Sequence, residues 1–456
     1  MKRMIRTLAF LLGTATVVFG ADGWVTLFDG KTLDGWRQIN GTATYTVENG
    51  AVVGTSVAGS PNSFLRSEKT YGDFVLELEA KLDTPLNSGV QFRSLSTPDF
   101  QNGRVHGYQL ELDSSERGWT AGLYDEARNG WLYSLTRQPR ARAAYKADDW
   151  NSFRVEAIGD SIRTWINGVQ ATNLVDPTTA EGFIALQVHS IGKDMAKLGK
   201  QVRWRNIRIK TTGLERERRA DGDKVEEFNY VANTLTEAQK AAGWTLLWDG
   251  KTTKGWRGAR SDGFPQKGWA IQDGTLSVLA SGRGGDIYTL QEFSDFELEL
   301  DYRIAEGANS GIKYFCDPSL LKDKGSAIGL EYQLLDDARH PDAKLGVAGN
   351  RTSGGLYDLI APHNSSEPGV TAKRINRPGT WNRARIVVKG NHVEHWLNNS
   401  KIVDYERGTQ IFRALVANSK YAPTPNFGEW EKGAILLQDH GDLVSFSSIK
   451  IRDLTK

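Results

Sequence analysis

Cysteine is almost missing from this chain. Cys316 is the only one, so no intrachain disulfide can form. A small disulfide-stapled scaffold is excluded, and the fold must rest on its hydrophobic cores. An excess of one charge is missing too: 57 Lys and Arg stand against 55 Asp and Glu. No basic stripe exists of the kind a nucleic-acid groove needs, so nucleic acid is not an expected partner. There is no His or Cys spacing typical of a metal site, no glycine-rich phosphate loop and no Gly-x-Ser-x-Gly elbow. Helix-friendly stretches are scarce. Glycine (48) and tryptophan (14) are plentiful instead, which favours many short strands joined by tight turns.

The apolar run Leu8 to Phe19 follows the basic residues Lys2, Arg3 and Arg6 and precedes the small residues Gly20 and Ala21. It is too short to span a bilayer comfortably. Residues 1–21 therefore read as a secretory signal peptide, with no stable membrane anchor expected after cleavage. An uncleaved anchor helix is the rival reading. No cysteine follows the run, which argues against a lipoprotein. Removing its three positive charges leaves the rest close to neutral. An exported protein without disulfides suits a bacterial periplasm or the cell exterior.

A chain of 456 residues is long for one core. An internal repeat divides it. Gly23-Trp-Val-Thr-Leu-Phe-Asp-Gly-Lys-Thr-Leu-Asp-Gly-Trp36 recurs as Gly243-Trp-Thr-Leu-Leu-Trp-Asp-Gly-Lys-Thr-Thr-Lys-Gly-Trp256. Alternating runs from Phe74 and from Phe296 follow, then Asn87-Ser-Gly89 and Asn309-Ser-Gly311, read as turns. Gly-Leu-Tyr-Asp at 122–125 and 355–358, Trp-Asn at 150 and 381, and Leu-Gln-x-His at 186–189 and 437–440 also recur in order. Each copy carries about a dozen strand signals at turn-punctuated spacing. The expected fold is all-β: two tandem antiparallel jelly-roll β-sandwiches, residues 22–210 and 243–456. Residues 211–242 form a charged linker, in which Thr236-Glu-Ala-Gln239 can cap a short helix.

One strand in each copy pairs a carboxylate with a carboxamide. Period two puts Glu331 beside Gln333, opposite apolar Tyr332 and Leu334; likewise it puts Gln109 beside Glu111, opposite Tyr108 and Leu110. The apolar face suits a core, and the polar face suits either solvent or the floor of a sugar site. The same period puts Gln438 with His440, and Gln187 with His189. Only seven histidines occur, and two of them share one slot of the repeat, which suits proton transfer near neutral pH. Arg93 and Lys313 follow the Asn-Ser-Gly segments. Trp119, Trp131, Trp396 and Trp430 stand near polar residues and could stack on a sugar ring. The second copy has an insertion, Asp336-Asp-Ala-Arg-His-Pro-Asp342 with Asn350-Arg351, that is either a solvated loop or an oxygen-ligand site for a divalent cation such as calcium near Asp336.

Taken together, these motifs make both copies resemble the 3-keto-disaccharide hydrolase domain, a concanavalin A-like or laminin-G-like jelly roll, over about 23–210 and 243–453. The resemblance implies cleavage of a glycoside oxidised at C3: a base takes the acidified C2 proton, the enolate expels the C1 substituent, and water adds to the double bond. It also implies an upstream sugar 3-dehydrogenase that supplies the ketone. On this reading His440 is the base and Glu331 the acid or the partner of the histidine. Gln438 and Gln333 orient, Lys313 or Arg351 stabilises the enolate, and Asn309, Tyr357 and Asp358 complete the sugar site. The matching set in the first copy is His189, Glu111, Gln187, Gln109 and Arg93, with Tyr124 and Asp125. That copy has Gln-x-Glu in place of Glu-x-Gln and lacks the insertion. Two other functions fit the same residues: a two-carboxylate glycosidase using Glu331 with Asp336 or Asp358, or a non-catalytic sugar-binding protein.

Overall fold

Strict alternation makes Phe74–Leu82 and Phe296–Ile304 two-faced strands, and each becomes the middle of a large antiparallel sheet. Phe74–Leu82 lies between Asn151–Ile158 and Gln201–Lys210; Phe296–Ile304 lies between Asn382–Lys389 and Val444–Asp453. The structure, a computed structural model, describes residues 22–220, 225–320, 326–363 and 373–455. The expected leader at 1–21 lies outside the described residues.

A smaller sheet packs on each large one. In the second copy its order is Trp256–Gly258, Ile287–Phe293, Gly433–Leu437, Asn309–Asp317 and Ile328–Leu335. Ile312, Tyr314, Tyr332 and Leu334 point from it into the core, against Leu298, Leu300 and Ile386 of the large sheet. By alternation, Lys313, Glu331 and Gln333 point the other way. The first copy repeats this with Val90, Phe92, Tyr108 and Leu110 inward. The molecule is therefore all-β, two tandem antiparallel jelly-roll sandwiches. Among the described residues, α-helix is confined to Pro139–Ala143, Glu237–Ala241 and Gln410–Ala417. None of these is long and apolar enough to cross a membrane.

The repeated opener has a local cause. Asp29 Oδ1 accepts from the Lys31 and Thr32 amides, and Asp249 Oδ1 from Lys251 and Thr252. The closing tryptophans, Trp36 and Trp256, each donate Nε1–H to a carbonyl nine residues back, at Leu27 and Leu247. Asn167 and Asn398 take positive φ in two-residue hairpins, as the Trp-x-Asn signals require.

The segment between the copies is more than a tether. Phe228–Asn229 pairs in parallel with Val169–Val175 of the first copy. Thr236 and Gln239 form the reciprocal cap of helix Glu237–Ala241. Tyr230 donates to the Leu132 carbonyl of the first copy, while its ring lies 4.0 Å from the Arg383 guanidinium of the second. Glu226 pairs with Arg137 on one side and Arg385 on the other.

His395 sits in the second core with no exposed surface. Its Nδ1–H donates to the Gly354 carbonyl and its Nε2 accepts from the Tyr314 hydroxyl at 2.7 Å. Burial holds its pKa down at about 4, the Gly354 bond opposing. The unfolded value is about 6.5, so this contribution to stability is intact above that pH and is lost as pH falls towards about 4. The urea midpoint of the wild type should drop across this interval more steeply than that of His395→Gln, measured by equilibrium unfolding.

Candidate active site

Two adjacent strands build the wall of the site. Glu331 stands opposite Lys313, and Gln333 opposite Gly311. The missing side chain at Gly311 is essential to the arrangement: a Cβ there would come within 2.5 Å of Glu331 Oε1. Asn-Ser-Gly is thus not a turn, as its composition suggested, but the opening of strand Asn309–Asp317. Its serine ties in the neighbouring strand, Ser310 Oγ donating to the Gln438 carbonyl at 2.8 Å, while the Gln438 amide donates to the Gly311 carbonyl. Ser88 does the same to Gln187 in the first copy.

Lys313 Nζ donates to Ser326 Oγ at 2.6 Å and the Ala327 carbonyl at 3.0 Å, and lies 3.5 Å from Glu331 Oε2. Ser326 donates in turn to Asp286, whose other oxygen accepts the Asp439 amide. Burial raises the Asp286 pKa, and Lys313 works against it. Two cavities meet here, of about 620 and 310 Å³, sharing Lys420, Gln438 and His440. Asn309, Glu331, Gln333, His340 and Tyr357 line the smaller; Asp286, Lys313 and Tyr421 line the larger. The carboxylate–amide strand and the late histidine therefore reach one concavity, as expected. Gln438 and His440 lie just beyond the end of strand Gly433–Leu437, and the His440 ring is exposed, 6.3 Å from that of His340. Both polar atoms of the Gln333 carboxamide and Oε1 of Gln438 are buried without a hydrogen-bond partner among the described residues. Such orphaned polar atoms are costly unless a ligand or water meets them.

Similarity to other proteins identifies the family. The family model described as 3-keto-alpha-glucoside-1,2-lyase-like domain matches residues 23–210 and again 243–452. The chain belongs to that family. A 3-keto-disaccharide hydrolase of Bacteroides thetaiotaomicron is 34% identical over 268 residues, half of this chain and 89% of that protein. A putative glycosyl hydrolase of Parabacteroides distasonis is similar at 31% identity over 49% of this chain and 99% of its own, with a TM-score of 0.42. A second such structure from the same organism has 26% identity, 46% and 99% coverage, and a TM-score of 0.35. The protein is a carbohydrate-active hydrolase of the 3-keto-glucoside lyase-like family.

Several sequence expectations fall away from the cleft. Arg351 does not line it: its guanidinium is held by Asp358 at 2.7 Å and Asp342 at 3.2 Å. Asp358 grips Arg351 with one oxygen and the Lys420 amide with the other. Asp336 accepts from the Gly307 and Ala338 amides and from Arg339. With its oxygens turned to N–H donors, it does not fit a calcium cage. Neither Asp336 nor Asp358 lines the cavity with Glu331, so the expected two-carboxylate pairs are not assembled. The tryptophans are also displaced from the cleft. Trp119 and Trp131 are buried in the first core, and Trp396 donates to Glu394. Trp430 packs on Phe427. The cleft aromatics are Tyr357 and Tyr421.

The first family domain keeps the strands but not the same polar residues on them. Glu111 faces Gly89 and Gln109 faces Gln91, so carboxylate and amide have exchanged places and the lysine is gone. Pairing register puts Phe64 where Asp286 stands, and Val188 where Asp439 stands. Phe64, Val105, Phe183 and Ala185 then form an apolar cluster on the outer face of that sheet. Glu111 accepts from Asn87, Gln109 and Arg117, and burial lifts its pKa to about 7. Arg374 of the second copy and Arg117 both lie over the Trp119–Trp131 pair. Gln187 is sealed, and His189 is exposed with Nδ1 on the Ser190 carbonyl. Tyr124 packs edge-on to Trp131, and Asp125 is buried against Arg128 and Asn129. Arg93 is not the counterpart of Lys313. It sits at a bulge with φ 44° and donates to the Gly72 and Gly159 carbonyls and to Asp73. Phe315 takes that position in the second copy, where Arg407 covers the ring and reaches the matching Gly390 carbonyl.

Asp286, His340, Lys420 and Tyr421 were missed by sequence reasoning. The extra length of residues 407–432 over 176–181, between matched strands, was the available signal for the last two.

Gly311→Ala should push the Glu331 carboxylate off its seat. We expect turnover to fall at least tenfold with about 1–3 kcal/mol of destabilisation. Thermal melting and a crystal structure of the variant would check both.

Proposed function

We propose that the second copy cleaves a glycoside oxidised at C3, by proton abstraction, elimination and hydration, and that the first copy does not turn over. The observation that carries this is the wall formed by the Glu331–Lys313 pair, the unpartnered carboxamide of Gln333 and the unpartnered Oε1 of Gln438, open to a cavity that His440 also lines. Orphaned amides of both donor and acceptor character suit the hydroxyls of a sugar ring. The family match and the bacterial relative named for a 3-keto-disaccharide support the oxidised substrate.

His440 is the base. Its exposed ring lines the cavity with Glu331 and Gln333, where a ring nitrogen can take up the proton. The C2–H electron pair becomes the C2=C3 bond of an enolate. Its collapse restores the C3 ketone, forms C1=C2 and breaks the bond from C1 to the leaving oxygen, which takes up a proton. The His440 imidazolium, carrying the proton from C2, returns it to the leaving oxygen, while the Glu331 carboxylate beside Lys313 lines the same cavity and steadies the imidazolium. Water then adds at C1 and a proton returns to C2, so the sum is hydrolysis. The basic and apolar first 21 residues support export to the periplasm or the exterior.

Purified full-length protein should release a transient ultraviolet-absorbing enone and free sugar from a 3-keto-disaccharide, and leave the unoxidised disaccharide intact. His440→Ala should lose at least a hundredfold in kcat/KM, and His189→Ala should match the wild type. Cleavage of the unoxidised sugar would favour an ordinary glycosidase. Binding without turnover of either sugar would favour a lectin.

A further inference from the structure

In the second copy the strands Ser400–Glu406 and Gly433–Leu437 are joined by residues 407–432, where the first copy needs only 176–181. The added segment is a built element. Thr409 caps helix Gln410–Ala417, Phe412 anchors it in the core, and Arg413 pairs with Glu429 across the loop. The helix delivers Lys420 and Tyr421 to the cavity.

Both residues are held by their surroundings, yet their polar ends are unspent. The Lys420 amide donates to Asp358 Oδ2 at 2.8 Å, and Asp358 is itself gripped by Arg351. The Lys420 ammonium lies 3.9 Å from the centre of the Tyr357 ring and forms no ion pair among the described residues. Tyr421 stacks on Phe427 at 3.9 Å, and its hydroxyl is buried with no hydrogen-bond partner among the described residues. The other cations considered for the enolate are committed elsewhere: Lys313 to Ser326, Ala327 and Glu331, and Arg351 to Asp342 and Asp358. Burial lowers the Lys420 pKa. Glu331 opposes this, and Lys313 adds to it.

We infer that Lys420 and Tyr421 are the oxyanion donors of the second copy, hydrogen-bonding the C3 oxygen of the substrate as it becomes an enolate. The inference rests on the proposed keto-glycoside chemistry. When the C2–H pair moves into C2=C3, the carbonyl π pair moves onto oxygen. The ammonium and the phenol stabilise that charge without giving up their protons. They release it when C3=O re-forms and the C1–O bond breaks. Donors placed in advance where charge develops lower the barrier most.

The test uses full-length protein with a 3-keto-disaccharide. A second probe is 3-keto-1,5-anhydroglucitol, whose C2–H exchange with D₂O is followed by NMR. Lys420→Met should lower kcat about a hundredfold or more with a much smaller change in KM, and Tyr421→Phe about tenfold. C2 exchange should fall in parallel. Lys420→Arg should recover part of the rate and move the alkaline limb of the kcat profile upward, because a guanidinium keeps its charge where an amine loses it. A merely structural lysine would not set that limb. Should Lys420→Met fail to fold, Tyr421→Phe and the pH profile of Lys420→Arg decide. Wild-type rates of turnover and exchange in Lys420→Met, or an unmoved alkaline limb in Lys420→Arg, would overturn the inference. A wild type inert on every 3-keto sugar would instead overturn the proposed function.

Discussion

The close approach of Glu331 to the backbone of Gly311 is the constraint on which the site depends. Two strands pair at ordinary spacing, but their outer face must hold a carboxylate, an ammonium and two carboxamides within one small area. A glycine at the crossing leaves room for the carboxylate to lie flat on the neighbouring strand. The adjacent serine then fixes the third strand through a carbonyl, so the glutamine that follows cannot drift. The apolar faces of the same strands fix the register. A slip of one residue would turn Glu331 into the core and Tyr332 out to water.

The two copies show how few substitutions separate two faces built on the same strands. Both retain the serine tie and one inward tyrosine, Tyr108 and Tyr332. In the first, an aspartate position is phenylalanine and a lysine position is glutamine, and carboxylate and amide trade places. The surroundings of the two carboxyls also differ. In the second copy Glu331 lies beside Lys313 and the open cavity; in the first, burial pushes the Glu111 carboxyl up to about 7 and protein donors take both its oxygens.

Much of this was legible in the chain itself. Period-two alternation marked the central strands, and the double motif set the two sandwiches. Glu331, Gln333, Gln438 and His440 line one cavity, but Gln438 and His440 lie beyond the strand on which period two placed them. Three features were harder to read. Arg93 was matched to Lys313 by charge, but the pairing register counts positions, and a bulge carries Arg93 to the far end of its strand. Asn-Ser-Gly has turn composition, and only the cross-strand neighbours show why those residues suit a strand. Lys420 and Tyr421 come from a segment with no counterpart in the first copy, so no repeated motif could flag them. Their position depends on the tertiary contacts of Asp358 and Phe427.

The parallel strand Phe228–Asn229 and its neighbours have a consequence for how the duplicated chain holds together. Tyr230 serves as a washer between the halves, clamped by a carbonyl on one side and a guanidinium on the other. Glu226 supplies a counter-charge to arginines from both. The connector is therefore shared masonry. Neither sandwich is an autonomous module whose rim is finished by its own residues. The first half therefore has a structural part of its own: it is the abutment against which the second half is set.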